Sequence, residues 1–149
     1  GRRKESLKNF LTELHANRCN SESINHLDKL QGLLDNDQSL SSQINQGDLI
    51  INTTPVGMTK LKEEMKTNND FPLGKDIWSA LKPNSTLYDL IYTPRPTPWL
   101  LWGEQQGLCC IDGLEMLVQQ GAASLKLWSG RQDIPIQIMR ESVMTTLKI

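Results

Sequence analysis

Two groups of residues in this chain are of types that could recognise a ligand. At its head, Gly1 is followed by three adjacent cations, Arg2, Arg3 and Lys4, and an arginine presents a planar fork of donors that matches a phosphate in geometry and charge. Farther on, "DLIINTTPVGMT" (48–59) runs from an apolar stretch into Asn52, Thr53 and Thr54, then Pro55 and Gly57. Such amides and hydroxyls bind by hydrogen bonding, either to a ligand or to nearby backbone amides, while proline and glycine set a turn. No other chemistry is spelled out. Cys19, Cys109 and Cys110 form no CxxC, the adjacent pair is poorly placed to close a disulfide, and only His15 and His26 accompany them. Reduced packing cysteines and no metal are therefore expected.

Composition narrows the classes. A chain of 149 residues with 38% hydrophobic and 22% charged residues is ordinary for one globular domain. Sixteen basic against seventeen acidic side chains give a formal charge of -1, so neither nucleic acid nor an anionic membrane is an expected partner. No apolar run approaches the roughly 20 residues that span a bilayer, and "GRRKESLKNF" resembles no signal or transit peptide; the expectation is a cytoplasmic chain. It opens without a methionine, directly on a helical pattern of Leu7, Phe10, Leu11 and Leu14. That opening reads as a cut inside a fold, at the end of a strand whose body lies upstream.

The elements that position these residues alternate. Residues 17–47 read as a polar surface excursion with a short helix over Ile24, Leu27, Leu30 and Leu34. Asp48–Thr53 has the continuous apolar character of a strand buried on both faces of a parallel sheet; Thr86–Tyr92 is a second strand and Leu108–Asp112 a third. Helices are expected over Asp76–Leu81 and over Pro98–Gln106, the latter opening on proline and stopping at Gly107. Two helices, Leu114–Trp128 and Pro135–Leu147, then follow with no strand between them. The fold class is α/β: a partial Rossmann-like parallel sheet with flanking helices. On the final helix, Ile136, Met139, Val143 and Leu147 make a stripe at helical spacing.

Open parallel sheets bind ligands beyond the carboxyl ends of their strands. Four such ends exist here: Gly1–Lys4, "NTTPVGM", "YTPRPTP" and "DGLEM". In a dinucleotide fold the second strand ends on an acid for NAD, whereas an arginine there suits the 2′-phosphate of NADP. The cations at 2–4 read equally as the solvated start of a helix.

"INTTPVGM", then "YDLIYTPRPTPWLLWGEQQG", then "DGLEMLVQQGAASLKLWSG" resemble, in order, the nucleotide-binding C-terminal part of the shikimate dehydrogenase family, closely from Asp48 onward. "GRRKESLKNF" resembles the Asn-Arg-Thr segment after that family's second nucleotide-domain strand. The resemblance implies NADP as cofactor and reduction of 3-dehydroshikimate to shikimate, on the way to chorismate and the aromatic amino acids. It implies cofactor contacts at Gly1, Arg2, Arg3 and Lys4, at Asn52, Thr53 and Thr54 on the adenosine side, and at Leu90 and Gly113 around the nicotinamide. It implies Tyr92 and Gln120 as the residues lent to the substrate. From the residues alone Tyr92 ends a strand and Gln120 is a polar helix residue, while Asp89 reads as a carboxylate that orders a turn.

The departures from the family pattern are Gly1 and Arg3 in place of Asn and Thr, and the length of the polar excursion. No GxGxxG occurs in the chain, and no segment resembles the family's catalytic lysine and aspartate, so no catalytic residue is assigned here. Residues 1–149 are expected to be part of an NADP-binding domain, inactive alone. The alternatives are a quinate/shikimate dehydrogenase and a non-catalytic nucleotide-binding or interaction module.

Overall fold

The structure is a computed structural model and describes residues 3–16, 32–33, 37–58, 71–79 and 81–148. The elements in chain order are α1 (Lys4–Ala16), α2 (Leu40–Asn45), β1 (Leu49–Asn52), α3 (Lys75–Trp78), β2 (Thr86–Asp89), α4 (Pro98–Gln105), β3 (Cys109–Ile111), α5 (Leu114–Ser129) and α6 (Ile136–Leu147). The three strands form one parallel sheet in the order β1-β2-β3. Each parallel step is bridged by a segment containing a helix, the crossover that parallel pairing requires.

Register and alternation decide what lies where. Ile50 of β1 pairs with Leu87 of β2, which pairs with Cys110 of β3. Side chains alternate across a strand, so these three share a face. That face is packed: Phe71, Trp78, Leu87, Trp99 and Leu100 form the buried core, and Ile44, Ile50 and Cys110 lie against it. Trp78 and Trp99 meet with ring centroids 5.1 Å apart, and Phe71 meets the edge of Trp102 at 6.2 Å. Gly103 lets α4 settle onto the sheet, since a Cβ there would lie 2.6 Å from Leu87 Cδ1. Leu87 has no exposed surface; truncating such a leucine to alanine costs about 2 to 5 kcal/mol.

The opposite face corrects an expectation. Leu49 is 53% exposed, Ile51 47% and Ile111 44%. β1 is therefore not buried on both faces among the described residues: helices cover one side of the sheet, and the alternate apolar residues of the same strands project from the other. The second strand is also shorter than expected. β2 stops at Asp89, although the Leu90 amide still donates to the Asn52 carbonyl, and Tyr92 lies beyond the strand.

The helices follow their local signals. Thr97 caps α4, with Pro98 in its first turn, and Gly107 leaves it at φ 75°, a left-handed conformation that glycine adopts readily. α5 buries Leu114, Val118 and Ala122, a stripe at four-residue spacing. Its partner α6 has no fully buried residue: Ile136, Met139, Val143 and Leu147 are half-covered. Arg140 of α6 ties the two helices by donating to both oxygens of Glu115, at 2.8 and 2.6 Å. No strand follows β3 among the described residues.

α2 falls within the polar stretch 17–47, where no helix was expected at that place; the stripe at Ile24, Leu27, Leu30 and Leu34 lies outside the described residues. In α1, Leu7 and Leu11 are half-buried and Phe10 is exposed. Cys109 and Cys110 are free thiols.

Candidate functional site

The carboxyl ends of β1, β2 and β3 bring together the turn after Asn52, the segment 90–97 and the pair Asp112–Gly113. Asn52 and Asp89 are Cα partners at the last positions of their strands, on the core face, and both are buried. The Asn52 amide donates to Asp89 Oδ1 at 3.0 Å and to the Val56 carbonyl at 3.2 Å. Its oxygen accepts from the Thr54 amide at 3.0 Å and the Thr54 hydroxyl at 2.7 Å. Asn52 is thus the staple of its own turn, an Asx-type arrangement. Thr53 is exposed beside it.

Asp89 accepts twice more. The Ile91 amide donates to Oδ1 at 3.1 Å, and the Thr97 hydroxyl donates to Oδ2 at 2.8 Å. Burial pushes this carboxyl's pKa above its ordinary value, against the Thr97, Ile91 and Asn52 hydrogen bonds that lower it, and the charge of Asp112 adds to the rise.

The third strand end is held by contact. The Gly113 amide donates to the Ile91 carbonyl at 3.0 Å, and a Cβ on Gly113 would run into the Leu90 carbonyl. Only glycine permits that approach. Asp112 Oδ1 accepts from the Leu114 amide at the head of α5 at 3.0 Å, while its other oxygen pairs with Arg95. Arg95 therefore ties segment 90–97 to the head of α5. An apolar cavity of about 450 Å³, lined in part by Ile50, Thr54, Trp78 and Trp99, adjoins the Asn52 turn. Burial pushes the Cys110 thiol up to about 11, with nearby Glu104 contributing, which makes it an inert packing group.

Of the residues singled out in the sequence, Asn52, Thr53, Thr54, Leu90, Tyr92 and Gly113 lie at these adjoining strand ends. Gly1 and Arg2 lie outside the described residues. Arg3 and Lys4 are exposed at the head of α1, and among the described residues no hydrogen bond or ion pair joins them to the strand ends. Gln120 is exposed on α5, two residues beyond buried Val118, and its amide donates to the Leu117 carbonyl at 3.2 Å. Thr97, Arg95 and Asp112 were not singled out. A signal existed for one of them: Thr97 stands at the capping position of a proline-led helix.

Residues 113–144 match the model of the shikimate 5'-dehydrogenase C-terminal domain. Over 118 residues the chain is 44% identical to shikimate dehydrogenase (NADP(+)) of Prochlorococcus marinus (strain MIT 9312), an overlap of 79% of this chain and 40% of that protein. The chain's relatives are shikimate dehydrogenases. Shikimate dehydrogenase (NADP(+)) of Synechocystis sp. (strain ATCC 27184 / PCC 6803 / Kazusa) is 43% identical over 111 residues, 74% of this chain and 36% of the relative. The crystal structure of shikimate 5-dehydrogenase from Listeria monocytogenes in complex with shikimate and NAD aligns with a TM-score of 0.59 and 25% identity, covering 76% of this chain and 36% of that one. The chain thus spans well under half the length of the shikimate dehydrogenases it matches. Among the described residues no helix is long and apolar enough to cross a membrane, and no cluster of His, Cys, Asp and Glu could hold a metal ion.

Proposed function

We propose that the full-length protein carrying this chain is a cytoplasmic NADP-dependent shikimate dehydrogenase that reduces 3-dehydroshikimate to shikimate. Residues 1–149 belong to its NADP-binding domain, and 17–47 form a polar excursion from it. The observation that carries this proposal is the convergence of the Asn52–Thr54 turn, the Leu90–Tyr92 segment and Gly113 at the carboxyl ends of three adjacent parallel strands, in a chain whose relatives are NADP(+)-dependent shikimate dehydrogenases.

The residues present fit such a cofactor. Asn52 spends its amide on the turn, which leaves the exposed Thr53 hydroxyl and the turn's outer surface for the adenosine side. The Gly113–Leu90 contact closes the floor where a nicotinamide ring would lie flat. Arg2, Arg3 and Lys4 hold the 2′-phosphate, with Gly1 beside them. When bound, NADPH supplies a hydride to the carbonyl carbon of 3-dehydroshikimate, whose oxygen takes a proton to become the hydroxyl. Tyr92 and Gln120 donate hydrogen bonds to the substrate. The proton is handled by groups outside residues 1–149, and such catalysis is worth on the order of 10² to 10⁴ in rate; the 149-residue chain alone is therefore inactive.

Loss of NADPH absorbance on adding 3-dehydroshikimate tests this. The full-length protein should turn over and the isolated chain should not. NADPH binding by the full-length protein without turnover would make it a non-catalytic nucleotide-binding module, and oxidation of quinate as fast as shikimate would make it a quinate/shikimate dehydrogenase.

A further inference from the structure

Asp89 is out of proportion to its local task. Ordering a turn takes one or two acceptors from an exposed Asx residue, yet this carboxylate has no exposed surface and accepts from three separate pieces of chain. Asn52 Nδ2 reaches it from the end of β1 at 3.0 Å, the Ile91 amide from its own strand exit at 3.1 Å, and Thr97 Oγ1 from the cap of α4 at 2.8 Å. Among the described residues no cation pairs with it: Arg95, on the same segment, is taken by Asp112. A buried carboxylate without a counter-ion is costly.

We propose that Asp89 is a positioning residue that registers cofactor against substrate: its two oxygens lock the Asn52–Thr54 turn to the segment carrying Tyr92 and to the head of α4. This rests on the proposed shikimate dehydrogenase activity. The adenosine side lies at the Asn52–Thr54 turn, whereas Leu90 at the nicotinamide and Tyr92 at the substrate ride on the segment that Asp89 pins through Ile91 and Thr97, so each ligand keeps its own contacts without the lock. Hydride transfer is different, because it depends on how the nicotinamide, tethered through the adenosine side, meets a substrate held on that segment, and small misplacements at that stage are expensive in rate.

Only a carboxylate serves all three donors, since both its oxygens accept and neither atom donates. Asparagine at 89 has one acceptor oxygen and one donating nitrogen, so it keeps Asn52 and Ile91 at best and leaves the Thr97 hydroxyl without its acceptor. It also removes a buried charge. Burial raises the Asp89 pKa, so removing the charge offsets the cost of the unpaired Thr97 hydroxyl, and D89N should keep a melting temperature close to that of wild type.

The experiment uses full-length protein. In D89N, kcat should fall about tenfold or more, while KM for 3-dehydroshikimate and Kd for NADPH stay within about threefold and the melting temperature holds. The isotope effect with NADPH deuterated at the transferred position should rise as hydride transfer becomes limiting. T97V keeps the shape of Thr97 without its hydroxyl and should lower kcat in the same selective way, whereas T97S should restore it. If D89N does not fold, the T97V and T97S pair decides. Active wild type with kcat unchanged in both D89N and T97V overturns this inference alone, as does a loss explained wholly by a lowered melting temperature. A wild type without shikimate turnover overturns the functional proposal and this inference with it.

Discussion

Asn52 and Asp89 close adjacent strands at the same level of the sheet, and the amide of one donates to the carboxylate of the other at 3.0 Å. The bond is across strands, 37 residues apart in sequence, so it fixes a tertiary relationship as well as a local turn. Replacing Asn52 with alanine strips the Thr54 amide and hydroxyl of their acceptor and leaves Asp89 short of a donor. A loss of about 1 to 3 kcal/mol is expected, the cost of buried polar groups left unpaired. Denaturant unfolding of Asn52→Ala in the full-length protein measures it; a midpoint equal to wild type would mean that the turn holds without its staple.

Gly113→Ala should be costly for a different reason. Its new methyl would drive the Leu90 carbonyl away from the head of α5, stretching the Gly113 to Ile91 hydrogen bond. Overpacking of this kind costs about 1 to 3 kcal/mol. NADPH affinity should fall together with the melting temperature, and a variant that melts and binds as wild type does would show that the two segments can part freely.

The pairing of α5 with α6 should show in acid. Arg140 and Gln119 hold the Glu115 carboxyl down to about 2, below its ordinary 4.5. A carboxyl depressed on folding adds stability that is complete above its unfolded value and drains away as pH falls toward its folded one. The wild-type unfolding midpoint should therefore drop between about pH 4.5 and 2 more steeply than that of Arg140→Gln. The pair is exposed and screened, so the difference should shrink in high salt. Parallel pH profiles would assign the acid sensitivity elsewhere.

Cofactor choice should follow the cations at the head of the chain. In the full-length protein, Arg2→Ala and Arg3→Ala together should weaken NADPH by roughly 1.5 to 3 kcal/mol for each charge-assisted bond lost, about 10- to 150-fold apiece, and leave NADH nearly unchanged. Titration of cofactor fluorescence checks this. An equal loss for both cofactors would remove the 2′-phosphate from their role.

What the sequence made legible was what rests on period and punctuation. Pro98 and Gly107 bracket α4 closely, and the helix expected from Leu114 is α5. The parallel strands were recognisable from their apolar runs, but the run at 48–53 could not say that Leu49 and Ile51 face outward. Continuous apolar residues erase the alternation that distinguishes one face from two. The exit at Asp89 was equally hidden, because Leu90 and Ile91 continue the strand pattern and still bond to the neighbouring strand ends, the Leu90 amide to the Asn52 carbonyl and the Ile91 carbonyl to the Gly113 amide. The turn-ordering role read for Asp89 agrees with its bonds to Ile91 and Asn52. Its third partner could not be read, since nothing local shows that Thr97 folds back onto it.

The bare side of the sheet bears on how this chain behaves as a piece of matter in solution. Leu49, Ile51 and Ile111 present a flat, greasy plaque, and a net charge of -1 gives two approaching copies almost no mutual repulsion. That plaque adds to the exposed Leu127 and Trp128 at the end of α5 in the colloidal behaviour of the 149-residue chain: copies should adhere, the more so in salting-out buffers. Lysines at 49 and 51 should disperse them while leaving Ile50 and the packed side of the sheet untouched.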